Sequence, residues 1–181
     1  MSKYIANNIF NDKISVYVTE CLSTNDFLTN LLKRNKINEG TSVRTDYQIK
    51  GKGQRDNKWL SEKNSNILFS FLLSPKIKVE NQFYLHIVIS IAIVKCLKKI
   101  GIDCKIKWPN DVLYNNSKIS GILIENTLTA RKQFSIIGIG INITSSPNIQ
   151  NFKTTYLNYI ISKSVGLNNI IHILNKYFFY F

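Results

Sequence analysis

A glycine-rich loop with interleaved donors is the part of this sequence best suited to chemistry. It reads Gly51-Lys52-Gly53-Gln54-Arg55-Asp56-Asn57-Lys58-Trp59. Glycines let the backbone approach a ligand closely, and the cationic and amide side chains offer hydrogen-bond donors to an anion. The spacing is neither that of a P-loop nor that of a dinucleotide-binding fingerprint. The loop therefore predicts a site for a phosphate-bearing ligand, with a solvated surface turn as the alternative.

A second polar cluster lies within otherwise apolar sequence. Lys107-Trp108-Pro109-Asn110-Asp111 ends one predicted strand, and Lys118 follows on a tight turn before Gly121. Polar groups in such a place are paired with one another or bind a ligand. The pattern favours a reaction centre, with a structural lysine–aspartate ion pair as the alternative.

Short strands and longer helices must position these clusters. Hydrophobic periodicity predicts strands at 14–18, 41–47, 66–73, 104–108, 111–114, 119–126 and 134–142. It predicts helices from the cap Ser23-Thr24-Asn25 to about 33, from about 80 to 100, and from about 167 to 181. This order of elements favours an α/β or α+β fold.

Composition limits the function classes. The chain has 181 residues and a formal net charge of +13, and it is long enough for one domain with a sizeable core. Of its 24 basic residues, 20 are lysines, which an AT-rich coding sequence would favour. These residues are dispersed, with no run of five, and this argues against a dedicated nucleic-acid-binding tail.

Cysteine and histidine usage indicates a reduced protein without a zinc site. Cys21, Cys96 and Cys104 have no CxxC spacing, and His86 and His172 lie far apart. The first 14 residues lack the apolar core of a signal peptide, and the apolar run 87–94 is too short to span a bilayer. We therefore expect a cytoplasmic protein.

Taken together, the motifs resemble the catalytic domain of the biotin protein ligases (biotin–[acetyl-CoA carboxylase] ligases), from about residue 16 to 142. Five ordered blocks carry the resemblance: Ser23-Thr24-Asn25; Gln48 with the loop Gly51 to Trp59; Lys107-Trp108-Pro109-Asn110-Asp111; Lys118 with Gly121-Ile122-Leu123-Ile124-Glu125; and Gly138-Ile139-Gly140-Ile141-Asn142. The resemblance implies an α+β (α/β-type) fold: a mixed β-sheet with helices packed on one face, as in the class II synthetase-like biotin and lipoate ligases.

The activity implied by the resemblance has two steps. Biotin and ATP give biotinyl-5′-AMP and pyrophosphate, and biotin is then transferred to a lysine of a biotin carboxyl carrier protein or another biotin-accepting carrier domain. ATP, biotin and Mg²⁺ are implied, with no metal-ligand set assigned in the chain. We expect no specific DNA and no membrane as partners, and a homodimer is compatible with the resemblance.

The resemblance also assigns site residues. Catalytic roles are implied for Lys118, Asp111, Asn110 and Arg55. A surface for biotin and its adenylate is implied for Ser23, Thr24, Asn25, Gln48, Gly51, Lys52, Gly53, Gln54, Trp59, Lys118, Gly121 and Asn142. Ser23, Thr24 and Gln48 would hold the ureido and tail region of biotin. Lys118 would reach the biotin carboxylate, Asn142 would lie near the adenine, and Asp111 would support the incoming lysine or a metal ion.

The sequence departs from the family pattern in the loop and at the ends. Lys52 replaces a frequent arginine, and Asp56 stands where glycine is usual; both changes are expected to lower the affinity for the adenylate. A single catalytic domain over 1–181 is expected, without an N-terminal helix-turn-helix domain or a C-terminal SH3-like β-domain. The chain ends on the aromatic cluster 177–181, expected to be buried on the sheet or exposed for association.

Three other interpretations remain open. A lipoate- or octanoate-transferring relative shares the fold, although the loop and the Lys-Trp-Pro-Asn-Asp block favour biotin. A basic nucleic-acid-binding module would show clustered cations with exposed aromatics. An inactive remnant of a ligase is the third, and the presence of Lys118, Asp111 and Gln48 argues against complete decay.

Overall fold

An eight-stranded mixed sheet is the framework of the protein. The computed structural model describes residues 5–6, 13–34, 37–128, 132–148, 152–162, 164–166 and 169–173. The strands are β1 Ile5–Ala6, β2 Ser15–Val18, β3 Ser42–Thr45, β4 Asn66–Leu73, β5 Lys105–Lys107, β6 Asp111–Tyr114, β7 Ser117–Leu128 and β8 Gln133–Asn142. The helices are α1 Thr24–Lys33, α2 Phe83–Lys99 and α3 Leu157–Ile161, with a 3₁₀ turn at Val79–Asn81.

Strand order places β4 and β8 at the centre of the sheet. The order is β1-β2-β3-β4-β8-β7-β6-β5; β2 and β3 are parallel, and the other neighbouring pairs are antiparallel. β4 is almost wholly buried, as its continuous apolar sequence predicts. Strands β2 to β8 fall where periodicity predicts them, whereas β1 was not predicted.

The two longer helices cover opposite faces of the sheet. Leu28 of α1 packs with Leu72 and Ile136, and Ile93 of α2 packs in the cluster that contains Phe71 and Ile137. Successive residues of a strand point to opposite faces, so these two clusters lie on opposite sides. The α+β class with a mixed sheet is confirmed. The expectation that the helices pack on one face is wrong, because α1 and α2 belong to clusters on opposite faces. Both β4 and β8 carry apolar side chains at even and odd positions, so each face of the sheet needs a cover.

The helix α2 begins later than its sequence suggested. It starts at Phe83 because Val79–Asn81 form a 3₁₀ turn. By length and composition alone, Val79–Lys99 is apolar enough to cross a membrane. Its side chains Ile89, Ile93 and Leu97 are buried in the core. Other apolar side chains of the helix are exposed: Phe83, Tyr84, Val88 and Ile91.

The C-terminal part differs from its prediction. The structure contains α3, which was not predicted, and residues 169–173 are helical. The rest of the predicted helix 167–181, including the aromatic cluster 177–181, lies outside the described residues. Ile170 and Ile171 join the same core cluster as α2, so this part of the chain covers the α2 face of the sheet.

A hairpin with a bulge connects β6 to β7. Asn115 and Asn116 both have positive φ, 45° and 62°, as a two-residue turn requires. Val112 is opposite Ser120, and Leu113 is opposite Lys118, so β7 has one more residue than β6 between these two pairs. The extra residue shifts the alternation of side chains by one position. Lys118 therefore points to the face opposite to the one that strict alternation would give.

Candidate active site

Three glycines form a flat floor on the α1 face of β7 and β8, which Trp59 and Asn25 cover. Gly121 and Gly140 are directly opposite each other, and the ring of Trp59 lies over both. A β-carbon at Gly140 would come within 2.4 Å of that ring, and one at Gly121 within 2.8 Å. A β-carbon at Gly138 would lie 2.4 Å from Asn25 Oδ1. Glycine at these positions allows an aromatic ring, or a flat ligand, to approach the sheet backbone.

Lys118 and Asp111 form an ion pair at the edge of this floor. Lys118 Nζ lies 2.6 Å from Asp111 Oδ1, and the two side chains are only 21% and 13% exposed. Because of the β7 bulge, Lys118 points to the same face as Gly121, and its Nζ lies 5.5 Å from the Trp59 ring. The pair places a fixed cation and a carboxylate beside the glycine floor.

A hydrogen-bond network holds the N-terminal end of α1 against β4. Gln48 Oε1 accepts bonds from the Thr24 backbone N–H at 2.8 Å and from Thr24 Oγ1 at 3.0 Å. Ser70 Oγ lies 2.6 Å from both Thr24 Oγ1 and Asn25 Oδ1. Ser23 is the N-cap of α1, and its Oγ accepts from Asp26 N at 3.5 Å. These uncharged groups make a buried polar surface next to the glycine floor.

The loop Gly51 to Trp59 is folded back on itself over the sheet. Trp59 N–H donates to Gly51 O at 3.0 Å, and Gly53 N–H donates to Asn57 O at 2.7 Å. A β-carbon at Gly51 would lie 2.4 Å from Trp59 O, so this close approach requires glycine. Gln54 Nε2 lies 3.5 Å from His86 Nε2 of α2. The loop is therefore held as a cover on the glycine floor.

Two carboxylates surround the first cation of the loop. Lys52 Nζ is paired with Asp26 and lies 3.8 Å from Glu125 Oε1. The hydrogen bond to Asp26 raises the pKa of Lys52, so it stays protonated. Burial lowers the pKa of His86, which the loop contacts. Lys52 thus lies near negative charge that comes from two carboxylates of the protein.

The tip of the loop has an unusual backbone. Arg55 and Asp56 have φ of 51° and 63°, a left-handed region that favours glycine. This conformation explains why glycine is usual at position 56 in the family that the sequence resembles. Arg55 is exposed.

Two asparagines stabilise the strand ends around the site. Asn110 Nδ2 donates to Ile122 O at 3.2 Å, and Ile122 N–H donates back to Asn110 O at 2.9 Å. Asn142 Nδ2 donates to Thr155 O at 3.0 Å. The other amide atom of Asn142, Oδ1, is buried and has no hydrogen-bond partner among the described residues. Such a buried unpaired acceptor calls for a partner that the described residues do not supply.

A cavity of about 320 Å³ lies beside the loop, lined in part by Gln48, Gly51, Lys58 and Trp59. A larger one of about 610 Å³ lies near the β2 and β3 edge, where Tyr17 and Arg44 contribute to its wall. None of the predicted site residues lines the larger cavity. Of the predicted site residues, Gln48, Gly51 and Trp59 line the smaller cavity, whereas Lys118 and Asp111 line neither of the two.

Three site residues were missed by the sequence prediction. Asp26 and Glu125 hold Lys52, and Ser70 holds Thr24 and Asn25. Ser70 could have been recognised from the sequence, because it carries the single side-chain hydroxyl within the apolar strand 67–73. Glu125 belongs to the fourth block of the resemblance, but its partners Lys52 and Asn25 lie 73 and 100 positions earlier in the sequence.

The described residues offer no preformed metal centre. Among them, no group of three or more His, Cys, Asp or Glu side chains lies close enough to hold an ion. The carboxylates at the site are each paired with a lysine. The donor set fits an ion that arrives with the phosphates of a nucleotide and keeps most of its waters, as Mg²⁺ does.

Comparison with known proteins shows the family to which this chain is related. Residues 17–142 match the biotin/lipoate A/B protein ligase family model. The chain is 35% identical over 131 residues to the bifunctional ligase/repressor BirA of Bacillus subtilis, which covers 71% of this chain and 40% of that protein. It is 30% identical over 142 residues to biotin–protein ligase 2 of Arabidopsis thaliana, which covers 75% and 41%. The chain thus spans about 40% of the length of these curated relatives.

A solved structure extends the likeness to the whole sheet. The biotin protein ligase from Aquifex aeolicus, in complex with biotin and ATP, superposes with a TM-score of 0.76 at 32% identity, over 93% of this chain and 68% of that one. The sequence match, the shared architecture and the order of the site motifs agree. This chain belongs to the biotin/lipoate A/B protein ligase family.

Proposed function

We propose that this protein is an ATP-dependent biotin protein ligase, which activates biotin as biotinyl-5′-AMP and transfers it to a lysine of a carrier protein. One observation carries the proposal. Lys118 Nζ lies at the edge of the glycine floor that Trp59 covers, 2.6 Å from Asp111 Oδ1. The relatives named biotin–protein ligase and the complex with biotin and ATP support the choice of substrates.

The uncharged end of the site suits the ureido group of biotin. Thr24 and Ser70 present hydroxyls, and Gln48 Nε2 remains as a donor because its Oε1 is taken by Thr24. A urea needs both donors and acceptors and carries no charge, so neutral groups bind it without an electrostatic penalty. The apolar ring system and tail would lie against Trp59 and the glycine floor, and the Trp59 ring, which contacts Gly121 and Gly140 in the structure, would move aside to admit them.

Lys118 would act in the first step. A carboxylate oxygen of biotin attacks the α-phosphorus of ATP, and pyrophosphate leaves. Two anions must approach each other, so a fixed cation at the point of attack lowers the barrier. Mg²⁺ bound to the ATP phosphates would offset further negative charge. Arg55, exposed at the loop tip, would supply a second cation near the phosphates.

Asp111 would act in the second step. The amine of the acceptor lysine attacks the carbonyl of the adenylate, AMP leaves as an anion, and the amine loses a proton. A carboxylate next to the reacting carbonyl is placed to take that proton. Lys118, held by the same carboxylate, would stabilise the departing phosphate.

The strand-end asparagines would complete the site. Asn142 has a buried free acceptor, suited to the exocyclic amine of adenine. Asn110 keeps the turn before Asp111 in place through its bonds to Ile122. The loop over the floor would keep water from the mixed anhydride.

The partner that we propose is a biotin carboxyl carrier protein or another biotin-accepting carrier domain. Its lysine must reach the carbonyl beside Lys118 and Asp111, at the rim of the sheet face. We also propose a cytoplasmic location, in accord with the free thiols of Cys21, Cys96 and Cys104. Neither specific DNA nor a membrane is part of the proposal, and a homodimer is compatible with it.

Biotin-dependent ATP–pyrophosphate exchange tests the activity directly. We expect exchange with the wild-type protein and Mg²⁺, and a loss of at least about 10²-fold in Lys118→Ala, because one fixed charge at the reacting atoms is removed. Lys105→Ala, at an exposed lysine of β5, is the matched control and should retain activity. Labelling of a carrier domain then tests transfer.

Three results would contradict the proposal or its mechanism. Folded wild-type protein that gives no exchange with biotin, but does so with lipoate or octanoate, would assign the site to another acyl group of the same family. No exchange with any of the three would indicate an inactive remnant. Equal exchange in Lys118→Ala and wild type would remove Lys118 from the mechanism.

A further inference from the structure

The loop over the site and the N-terminal end of α1 meet at one carboxylate. Glu125 Oε2 accepts a hydrogen bond from Asn25 Nδ2 at 2.7 Å, and its other oxygen, Oε1, lies 3.8 Å from Lys52 Nζ. We propose that Glu125 is a positioning residue that couples closure of the loop to the orientation of the biotin-binding end of α1. This inference rests on the proposed function, because it explains how that site becomes ordered.

The Asn25 side of this connection is rigid. Asn25 is only 2% exposed, its Oδ1 accepts from Ser70 Oγ at 2.6 Å, and its Nδ2 donates to Glu125. The missing side chain of Gly138 leaves the space for it. Ser70 also bonds Thr24, which bonds Gln48. Glu125 is therefore the last member of a chain of side chains that ends at the proposed ureido-binding residues.

The Lys52 side of the connection depends on the loop. Lys52 is the second residue of the loop, and its ammonium lies between Glu125 and Asp26, the acidic residue in the first turn of α1. If the loop opened, these two carboxylates would lose the cation between them. Closure therefore restores charge balance at the end of α1. The coupling is reciprocal: a ligand that fixes Asn25 and Thr24 favours the closed loop, and closure favours binding of that ligand.

This role differs from a direct contact between Lys52 and a phosphate. A lysine that binds phosphate acts on the transition state, so its loss lowers kcat whether or not Glu125 is present. A lysine that fastens the loop instead sets the fraction of molecules in which the loop is closed and able to bind biotin. Its loss lowers that fraction and so raises the apparent KM for biotin. It also makes the effects of Lys52 and Glu125 substitutions non-additive.

The first test measures the loop without any ligand. Trp59 is the reporter in a Trp108→Phe background, which leaves a single tryptophan, and acrylamide quenching of its fluorescence measures exposure. Glu125→Gln keeps an oxygen for Asn25 but removes the charge that attracts Lys52. We expect the Trp59 quenching constant to rise about 1.5- to 5-fold, the range for a partly exposed ion pair. Added salt should raise quenching more in the parent protein than in the variant, which keeps only the pair between Lys52 and Asp26.

Glu80→Gln is the matched control. It removes one carboxylate from another surface ion pair, with Lys78 at 4.0 Å on the 3₁₀ turn, and should leave Trp59 quenching unchanged. Equal quenching in Glu125→Gln and the parent protein would overturn the proposal. This result is independent of biotin, so it is distinguishable from failure of the proposed function, which would appear as absent exchange in the wild type.

The second test is a double-mutant cycle in the exchange reaction. Glu125→Gln and Lys52→Met are each expected to raise the KM for biotin about 2- to 5-fold, with kcat changed less than about 2-fold. The double variant should be little worse than Lys52→Met alone. Additive effects, or a kcat loss confined to the Lys52→Met variants, would show that Lys52 acts on the phosphates and that Glu125 does not position it.

Discussion

Gly140 lies directly beneath the ring of Trp59, so close that a β-carbon at position 140 would come within 2.4 Å of ring atoms Cε2 and Cζ2. The last residue of the covering loop therefore rests on the sheet itself. The absence of one side chain in β8 allows the loop to close. Because of this contact, a single methyl group added at position 140 would displace the Trp59 ring from its place over the sheet.

Gly140→Ala should weaken biotin binding through the position of Trp59. Gly140 is a strand residue whose φ is not in the left-handed region, so the backbone itself accepts alanine, but the new β-carbon would clash with the Trp59 ring and no gain in the free energy of unfolding is expected. The Trp59 ring must move, however, and we expect the Kd for biotin to rise at least about 10-fold. Isothermal titration and thermal unfolding measure the two quantities.

Gly166→Ala is the control for this substitution, because a β-carbon there would meet no atom within 4 Å. It should leave biotin affinity unchanged. An unaltered Kd in Gly140→Ala would mean that the position of Trp59 over Gly140 is not the binding-competent one.

Ser70→Ala should destabilise the protein and loosen the end of α1. The Ser70 hydroxyl is fully buried and lies 2.6 Å from Thr24 Oγ1 and Asn25 Oδ1. Its removal leaves buried polar atoms without a partner, which costs about 1–3 kcal/mol in the free energy of unfolding. Urea denaturation measures the loss. Ser90→Ala removes a buried hydroxyl that has no partner among the described residues and should be neutral or slightly stabilising.

Asp111→Asn should separate the two reaction steps. The amide preserves the shape of the side chain but cannot accept the proton of the acceptor amine. We expect transfer from preformed biotinyl adenylate to fall about 10²- to 10⁴-fold, the usual contribution of a positioned base. Exchange, which reports only activation, should fall less. Unchanged single-turnover transfer would exclude Asp111 as the base.

Asp56→Gly should relax the tip of the loop. Asp56 has φ of 63°, and a left-handed backbone disfavours a residue with a β-carbon by about 1 kcal/mol. The substitution also removes a negative charge from the neighbourhood of an anionic intermediate. We expect slower dissociation of the adenylate, measured by a chase with unlabelled biotin and ATP. Faster dissociation would show that Asp56 stabilises the closed loop.

Buried thiols should make the fold sensitive to alkaline pH. Burial raises the pKa of Cys96 and of Cys104 to about 12 each, from 9.0. The unfolded chain loses these protons above pH 9, whereas the native protein keeps them. Their stabilisation is therefore complete below pH 9 and is lost as pH rises towards 12.

The alkaline loss amounts to about 1.4 kcal/mol per pH unit for each thiol in that window. Unfolding free energies at pH 8 and pH 10 measure it. Cys96→Ala should show a shallower decline than the wild type, and an identical slope would contradict the assigned burial of that thiol.

Local sequence determined most of the helices and strands of this protein and brought its candidate site residues into view. The apolar run Asn66–Leu73 predicts β4 with the correct bounds, because a strand covered on both faces needs little more than continuous hydrophobicity. The cap at Ser23 predicts the start of α1, since capping is a local interaction. Lys118, Asp111, Gln48 and the loop were chosen for their residue types and order, both of which are visible without coordinates.

Only the tertiary structure decided which of these groups meet. Lys118 reaches Asp111 because the bulge in β7 reverses its direction, and strict alternation would have turned it to the other face. Glu125 meets Asn25 and Lys52 through three separate elements, and Gly140 meets Trp59 across the fold. The placement of helices on both faces of the sheet was likewise decided by the packing of residues distant in sequence. Such contacts are long-range, so no local pattern of residues encodes them.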